Sequence, residues 1–451
     1  MLIVGVTVVF GYLGLARLDW PSLPDWPTAW SLSNIGRLLI ISYGVVVFAS
    51  LIWRIMLWRR YRPAEPVADA ELPPVSLIMP AFNEGELVRH GILAAAKSDY
   101  PRDRFEIIVI DDGSTDDTWR HIRAAADEIG ETVRLTTIRL PENAGKRRAL
   151  ELGFQRATGD IWVTTDSDSL FEKSALRNIV APLVRDAGVT CVAGCVNALN
   201  AGRNIITRFM KCYFSLSFKF VRAYQHQIDA VFCAPGALSA YRADSVRSVL
   251  REWSDQQFLG QPCATGEDRA MTNLLLREGG RTAYQQTAVV WSRVPESYAG
   301  MAKMFLRWSR SNIRETIVLW KFLFTRFRSG TVAAFRLNMI LVLMSLVLSP
   351  ILISHTLGLA LVSDGFVLRY VSAMALFSGV MAAVYYRNER DSDWIWLFVY
   401  QIFAVAGLSW IMPYAALTLR NTGWLTRGGG QSTDSDDRFM LDSHGPGLAV
   451  R

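Results

Sequence analysis

Histidine and cysteine are scarce, five of each in 451 residues. Cys191, Cys195, Cys212, Cys233 and Cys263 follow no zinc-ligand spacing and the histidines are scattered, which argues against a structural metal site. Charge is also thin, at 20% against 51% hydrophobic residues, too apolar for an ordinary soluble enzyme. The net charge of +7 is not gathered into a basic run interleaved with aromatics, so nucleic acid is not an expected partner. That excess suits contact with anionic lipid and an anionic substrate. No G-x-x-x-x-G-K-[ST] occurs and no G-x-G-x-x-G follows a strand, which argues against a P-loop NTPase or a dinucleotide enzyme. No long internal repeat is present.

What is there begins with apolar runs at the two ends. The stretch "LLIISYGVVVFASLIWRIMLW" (38–58) has the length of a membrane-crossing helix. "MLIVGVTVVFGYLGLA" (1–16) lacks a basic n-region and a small-residue cleavage site, so it reads as a membrane helix and not a signal peptide. Three more runs lie at 337–362, 367–386 and 394–419, with Pro350 and Pro413 inside two of them as expected breaks. "WRIMLWRRYR" follows the second run, so residue 59 onward is expected in the cytoplasm, where the cysteines stay reduced.

The middle of the chain is different. "PVSLIMPAFNEG" (74–85), "FEIIVIDDGS" (105–114), "VRLTTIRL" and "GDIWVTTDSDS" read as strands, each but the last followed by a helical pattern. Near-continuous apolar strands alternating with helices predict a mostly parallel sheet covered by helices. Ligands of such sheets sit beyond the carboxyl ends of the strands, where Glu84, Asp111, Asp112, Asp166 and Asp168 fall. Asp166 and Asp168 are two apart and repel each other unless water or a cation lies between them. A polar turn is one reading of that pair. The other is a Mn²⁺ or Mg²⁺ site completed by substrate phosphates. Lys146 and Arg147 open a helix nearby and can offset a pyrophosphate. In "TGEDRAM", Glu267 and Asp268 open another helix, where carboxylates favour the dipole, and one of them is positioned to act as a general base. Segments 204–225 and 300–328 are aromatic and basic, suiting either interfacial helices or core-packing ones. Residues 62–74 read as a linker, and 428–451 as a polar tail.

Taken in order, "FNE" (82–84), "IDDGS" (110–114), "GKRRA" (145–149), "TDSDS" (165–169), "GEDR" (266–269) and "RW" (307–308) resemble membrane-embedded processive glycosyltransferases of family 2. The likeness is greatest to hyaluronan and rhizobial chitooligosaccharide synthases and runs from about 74 to 427. It implies a GT-A (Rossmann-like) cytosolic domain at 74–299 inserted between transmembrane helices. Two N-terminal spans (1–59) and a linker (60–73) would precede it. Interfacial helices (300–334), a C-terminal transmembrane region (335–420) and a gating segment with a flexible tail (421–451) would follow.

The implied activity is inverting transfer from UDP-sugars, UDP-GlcNAc among them, to a growing β-linked glycan that leaves through the membrane. By position, Asn83, Glu84, Asp111, Asp112, Lys146, Arg147, Asp166, Arg307 and Arg427 would bind donor, and Asp168 the Mn²⁺ or Mg²⁺. Asp268 would be the base beside Glu267. Cys233, Gly236, Arg269 and Trp308 would meet the acceptor, while Trp424 and Thr426 belong to a "WLTR" gate. Met304 stands where the family's Q-x-x-R-W motif has glutamine, and a thioether lacks the amide's hydrogen bonds. Two other functions compete with polymer synthesis: transfer of a single sugar to a lipid, and silent binding of nucleotide-sugar or glycan at a membrane.

Overall fold

The computed structural model describes residues 32–330, 332–362 and 366–421. The first apolar run (1–16) and the segment carrying Trp424, Thr426 and Arg427 lie outside the described residues. The chain divides into two units, residues to 61 with 332–413, and 62–331 with 414 onward.

The second unit is built on a sheet of eight strands in the order β3-β2-β1-β4-β7-β6-β10-β5. The strands are β1 (Val75–Ala81), β2 (Phe105–Asp111), β3 (Arg134–Arg139), β4 (Ile161–Thr164), β5 (Leu170–Phe171), β6 (Val189–Ala198), β7 (Ser239–Arg242) and β10 (Arg281–Ser292). β8 (Gln257–Phe258) and β9 (Gln261–Pro262) form a separate hairpin. β1 is buried at every position because it lies between β2 and β4 with both faces covered. Its parallel register with β2 runs from Val75↔Phe105 to Ala81↔Asp111, so both strands end at one level. β3 alternates exposed and half-buried residues, as an edge strand should. β7 runs antiparallel to β4 and β6 and joins the two halves, while β6 and β10 pair in parallel. The sheet is therefore mostly parallel, as the alternating pattern predicts.

Chain order reverses at β1, whose neighbours are β2 and β4. In open α/β sheets that switch point is where ligands bind. The loops after β1, β2 and β4 open there. They are followed or backed by α2 (Leu87–Ala96), α3 (Thr118–Ile129), α4 (Lys146–Arg156) and α5 (Ala175–Arg185). Further on come α6 (Ile205–Ser215), continued by a π-helical stretch at Leu216–Arg222, then α7 (Ala243–Ser254), α8 (Glu267–Arg277) and α9 (Tyr298–Leu323). α6 and α9 each bury one face in this unit; Phe209, Met210, Phe214, Met301, Met304 and Leu319 are part of its core.

The stretch read as a linker is held in place. Gln285 on β10 accepts from the Ala64 N–H and donates to its carbonyl, both at 2.9 Å, and Arg185 donates to the carbonyls of Glu65 and Pro66 at 2.8 and 2.7 Å. Val67 and Leu72 pack into the core while Arg185 and Gln285 fix the backbone just before them, which composition alone does not reveal.

The first unit holds α1 (Leu32–Arg60), α10 (Ala333–Val362), α11 (Phe366–Glu389), α12 (Trp396–Phe403) and the start of α13 (Ile411–Leu417). Among the described residues, Ser42–Arg60 and Ser392–Leu417 are long and apolar enough to cross a membrane, with mean hydropathy 1.2 and 1.8. The expected break at Pro350 is absent, since α10 runs through it as one helix. The last apolar run does break, at the π-helical stretch Ala404–Leu408 and the turn at 409–410. Pro413 then falls in the first turn of α13, where its missing N–H has no helical partner to lose.

Candidate active site

The rim is assembled from loop to loop. Asn83 takes a left-handed backbone (φ 51°); its N–H donates to Ser114 Oγ at 3.0 Å and its Oδ1 accepts from the Thr115 N–H at 2.9 Å. The N–H of Glu84 donates to Thr118 Oγ1 at 2.8 Å. Asp111 is fully buried, accepts from the Ser114 N–H at 3.0 Å and lies 3.3 Å from Arg139 Nε. Asp112 accepts from the N–H groups of Ala144 and Gly145 at 2.8 and 3.0 Å, fixing the loop that launches α4. Asn83 after β1, with Asp111 and Asp112 at the end of β2, thus shapes the loops through which a ligand would be met.

Lys146, the first residue of α4, is delivered by that loop to the centre. Its Nζ lies 2.5 Å from Asp166 Oδ1 and 3.1 Å from Glu267 Oε1, with the lysine side chain 10% exposed. Burial alone would lower the lysine's pKa, but Asp166 and Glu267 outweigh it and hold the ammonium charged well above its usual range. Arg147 points elsewhere. It donates to the Trp253 carbonyl and, at 3.0 Å, to Gln256 Oε1, with its guanidinium 5.0 Å from the Trp253 ring centre.

Glu267 and Asp268 open α8 with unlike surroundings. Burial would push Glu267 up, yet Lys146 more than offsets it and keeps this carboxyl below the ordinary range. Asp268 is pushed up, first by burial and then by the charge of Glu267 beside it. Its Oδ2 accepts from the Gly236 N–H at 3.3 Å and sits 3.5 Å from Cys233 Sγ; its Oδ1 accepts from the Arg269 N–H at 2.7 Å. Burial and Asp268 raise the Cys233 thiol, so it stays protonated and unreactive. A narrow cleft is lined by Leu150, Phe154, Gly236, Trp253, Glu267 and Asp268, among others. Two neighbouring carboxyls with diverging affinities for a proton are the arrangement that separates a fixed charge from a proton acceptor.

Gly236 has a reason to be glycine. A Cβ there would stand 2.7 Å from Lys146 Nζ and 3.6 Å from Asp166 Oδ1. Gly236→Ala is expected to displace the ammonium and lower turnover ~10- to 100-fold, by a misplacement of well under 1 Å. Circular dichroism and thermal unfolding should stay near wild type, because the far end of a lysine gives way more easily than backbone; steady-state kinetics checks both halves.

Other residues expected at the site are more spread. Asp166 is 31% exposed and Asp168, two residues on, is half-buried on the same loop. Thr165 Oγ1, between the strand and Asp166, donates to the Ala237 carbonyl at 2.9 Å and ties that loop to the Gly236 loop. Arg269 is turned away from the cleft, donating to Asn312 Oδ1 and Thr316 Oγ1 on α9 at 2.6 and 2.9 Å. Arg307 and Trp308 are half-buried on α9. Trp308 stacks on Tyr213 (centroids 6.1 Å, 21° between planes) with Phe305 edge-on at 5.7 Å. Tyr213 does not stand out in sequence, because one tyrosine in an aromatic helix looks like core.

No three His, Cys, Asp or Glu residues converge as a metal cage among the described residues. Asp166 and Asp168 nevertheless supply hard oxygens on one loop, and the rim carries Asp166, Glu267 and Asp268 around a single lysine. Few protein carboxylates beside an acidic surplus suit a divalent ion that a phosphate substrate helps to hold.

Comparison with known proteins fits this geometry. Residues 73–311 match the family described as Glycosyltransferase like family 2. The chain belongs to that family. This glycosyltransferase is 30% identical over 368 residues to an N-acetylglucosaminyltransferase of Rhizobium meliloti (strain 1021), spanning 81% of this chain and 84% of the relative. It is 29% identical over 362 residues to an N-acetylglucosaminyltransferase of Azorhizobium caulinodans, spanning 79% and 87%. Among solved structures, the mannosyltransferase PcManGT of Pyrobaculum calidifontis, in complex with GDP-Man and Mn²⁺, shares the fold. Its TM-score is 0.54 at 20% identity, covering 90% of this chain and 99% of that one. The family 2 glycosyltransferase is thus a nucleotide-sugar-dependent enzyme on a mostly parallel, GT-A-like sheet.

Proposed function

We propose that this glycosyltransferase moves N-acetylglucosamine from UDP-GlcNAc onto a hydroxyl of a growing β-linked, chitin-like oligosaccharide or polysaccharide. The observation that carries the reading is Lys146 held between Asp166 and Glu267, beside an Asp268 of raised proton affinity. The two N-acetylglucosaminyltransferases that share most of their length with this chain favour GlcNAc over an alternating hyaluronan.

In the proposed single displacement, Asp268 takes the proton of the acceptor hydroxyl as the C1–O bond to the new sugar forms and the bond to UDP breaks, inverting the anomeric centre. Glu267 stays ionised against Lys146 and keeps Asp268 basic. Lys146 faces the diphosphate, whose charge replaces part of the carboxylate field around it. A Mn²⁺ or Mg²⁺ ion held by Asp168 and Asp166 with the diphosphate would neutralise the departing UDP. Trp308 and Tyr213 offer a stacked aromatic face suited to a sugar ring of the acceptor.

The membrane setting belongs to the same proposal. Ser42–Arg60 and Ser392–Leu417 have only 11% of their apolar windows buried, and apolar segments so uncovered suit a lipid surrounding. Arg59 and Arg60 at the end of α1 favour a cytoplasmic catalytic unit in the cell membrane. The exposed Ile317, Trp320 and Phe324 on and after α9 favour a second reading, transfer to a lipid acceptor.

Purified protein supplied with UDP-GlcNAc alone is expected to release UDP and build a ladder digested by chitinase. A product needing UDP-glucuronate and cut by hyaluronidase would replace the chitin-like reading with hyaluronan. A single sugar added to lipid would replace polymerisation. Asp168→Asn is expected to weaken Mn²⁺-dependent donor binding ~10- to 100-fold, the range seen when support of a metal site is lost. Titrating UDP release against Mn²⁺ checks it; an unchanged metal dependence removes Asp168 as ligand.

A further inference from the structure

The helix start that carries Glu267 and Asp268 is gripped from outside the cleft by buried polar side chains of α9. Gly266 caps α8 in the left-handed region (φ +78°), and a Cβ there would meet Ser311 Cβ at 2.7 Å and Arg314 Nη2 at 2.9 Å. Arg314 is 1% exposed and donates through Nη2 to the Thr265 carbonyl, one residue before that glycine. Its Nε lies 3.3 Å from Glu315 Oε1. Glu315 is fully buried and accepts from Gln256 Nε2 and from Asn273 Nδ2, both at 3.0 Å. Gln256 in turn accepts from Arg147 at 3.0 Å through its Oε1. This ion pair therefore ties α9 to the residue just before the cap of α8, to the second turn of that helix and, through one amide, to the start of α4 that presents Lys146.

A buried ion pair is a poor way to gain stability, since apolar side chains of like volume usually serve as well or better. Its strength is fixing one geometry. Here that geometry is the left-handed corner at Thr265–Gly266, two residues from Asp268. We propose that Arg314, braced by Glu315, is a positioning residue that sets where Asp268 stands. The proposal rests on Asp268 being the proton acceptor of the reading above.

Three consequences separate positioning from mere scaffolding. Arg314→Lys keeps a cation beside Glu315 but loses the fork that reaches the Thr265 carbonyl as well. It should lower kcat ~10²-fold through a misplaced base, with the UDP-sugar KM and the Kd for UDP within about threefold of wild type. In an Asp268→Asn background the same substitution should cost nothing further, because groups acting as one unit are not additive. Should Arg314→Lys fail to fold, Ser311→Val pushes the same corner without touching the ion pair and should give the same split between kcat and KM.

The experiment is a four-variant cycle on the full chain in detergent or nanodiscs, following UDP release and UDP binding. A loss that is additive with Asp268→Asn, or that falls equally on UDP affinity, overturns the positioning role. Wild-type turnover in Asp268→Asn alone would instead remove the base assignment, and the cycle would show that failure separately.

Discussion

Asp268→Asn is expected to abolish turnover, by at least ~10³-fold, while UDP binding stays near wild type and the fold gains stability at neutral pH. The kinetic half follows from geometry. The amide's single oxygen can accept from either the Gly236 or the Arg269 N–H, which Asp268 meets through separate oxygens, and it cannot take a proton from an alcohol. The stability half follows from linkage. Burial and Glu267 raise the folded pKa of Asp268 above its unfolded value. A carboxyl raised in this way contributes stability that is complete below the unfolded pKa of about 3.9 and is lost as pH rises through the folded one. At pH 7 the ionised group is therefore a cost that asparagine removes. Thermal unfolding should show the variant equal to or above wild type at pH 7, with the difference closing towards pH 4. The acidic limb of wild-type kcat/KM should likewise lie above the ordinary aspartate range. A variant that is both inactive and clearly less stable would mark Asp268 as a structural carboxylate.

Much of this was legible from residues alone because the relevant signals are local. A strand such as "FEIIVID", apolar on both faces and closed by acids, says both parallel sheet and rim position. That reading needs only a period and a terminus. The roles of the rim acids were harder to read. Asp112 and Asp166 stand at equivalent strand ends, yet one binds two loop N–H groups and the other a lysine ammonium. Which of the two happens depends on where α4 begins in space, and no spacing encodes it. Arg147 and Lys146 are neighbours in sequence and point to opposite fates because consecutive helical residues face about 100° apart. Arg314 and Glu315 were least visible. An Arg–Glu pair on an amphipathic helix is usually a solvated face, and only tertiary packing buries this one. The apolar runs at 38–58, 337–362 and 367–386 fall in helices, whereas Pro350 failed as a break: a proline within a long apolar helix removes one hydrogen bond without ending the helix when neighbours re-satisfy the backbone.

Lys146→Met should be the most damaging substitution to the fold. The methionine fills the space of the lysine stem but leaves Glu267, 7% exposed, without its cation. Stripping one partner from a buried pair costs ~3–5 kcal/mol; the lower end applies here because Asp166 is 31% exposed and water can solvate it. The pH dependence gives the cause away. In wild type the depressed Glu267 contributes stability present above its unfolded pKa of about 4.3 and lost as pH falls through the folded value. The raised Lys146 contributes stability that is full below about 10.4, its unfolded pKa, so it is constant from pH 5 to 9. Without the lysine, Glu267 becomes a buried acid whose pKa rises, and the sign reverses: the variant should recover relative to wild type as pH falls from 7 to 5. Adding Glu267→Gln removes the stranded charge and should restore most of the lost stability at pH 7. Turnover should not return, because the cation facing the diphosphate and the charge that keeps Asp268 basic are both gone. Chemical denaturation of the catalytic unit across pH, beside UDP release, separates these outcomes. If the double variant regains activity along with stability, Lys146 serves the fold alone and the diphosphate must be met by another cation.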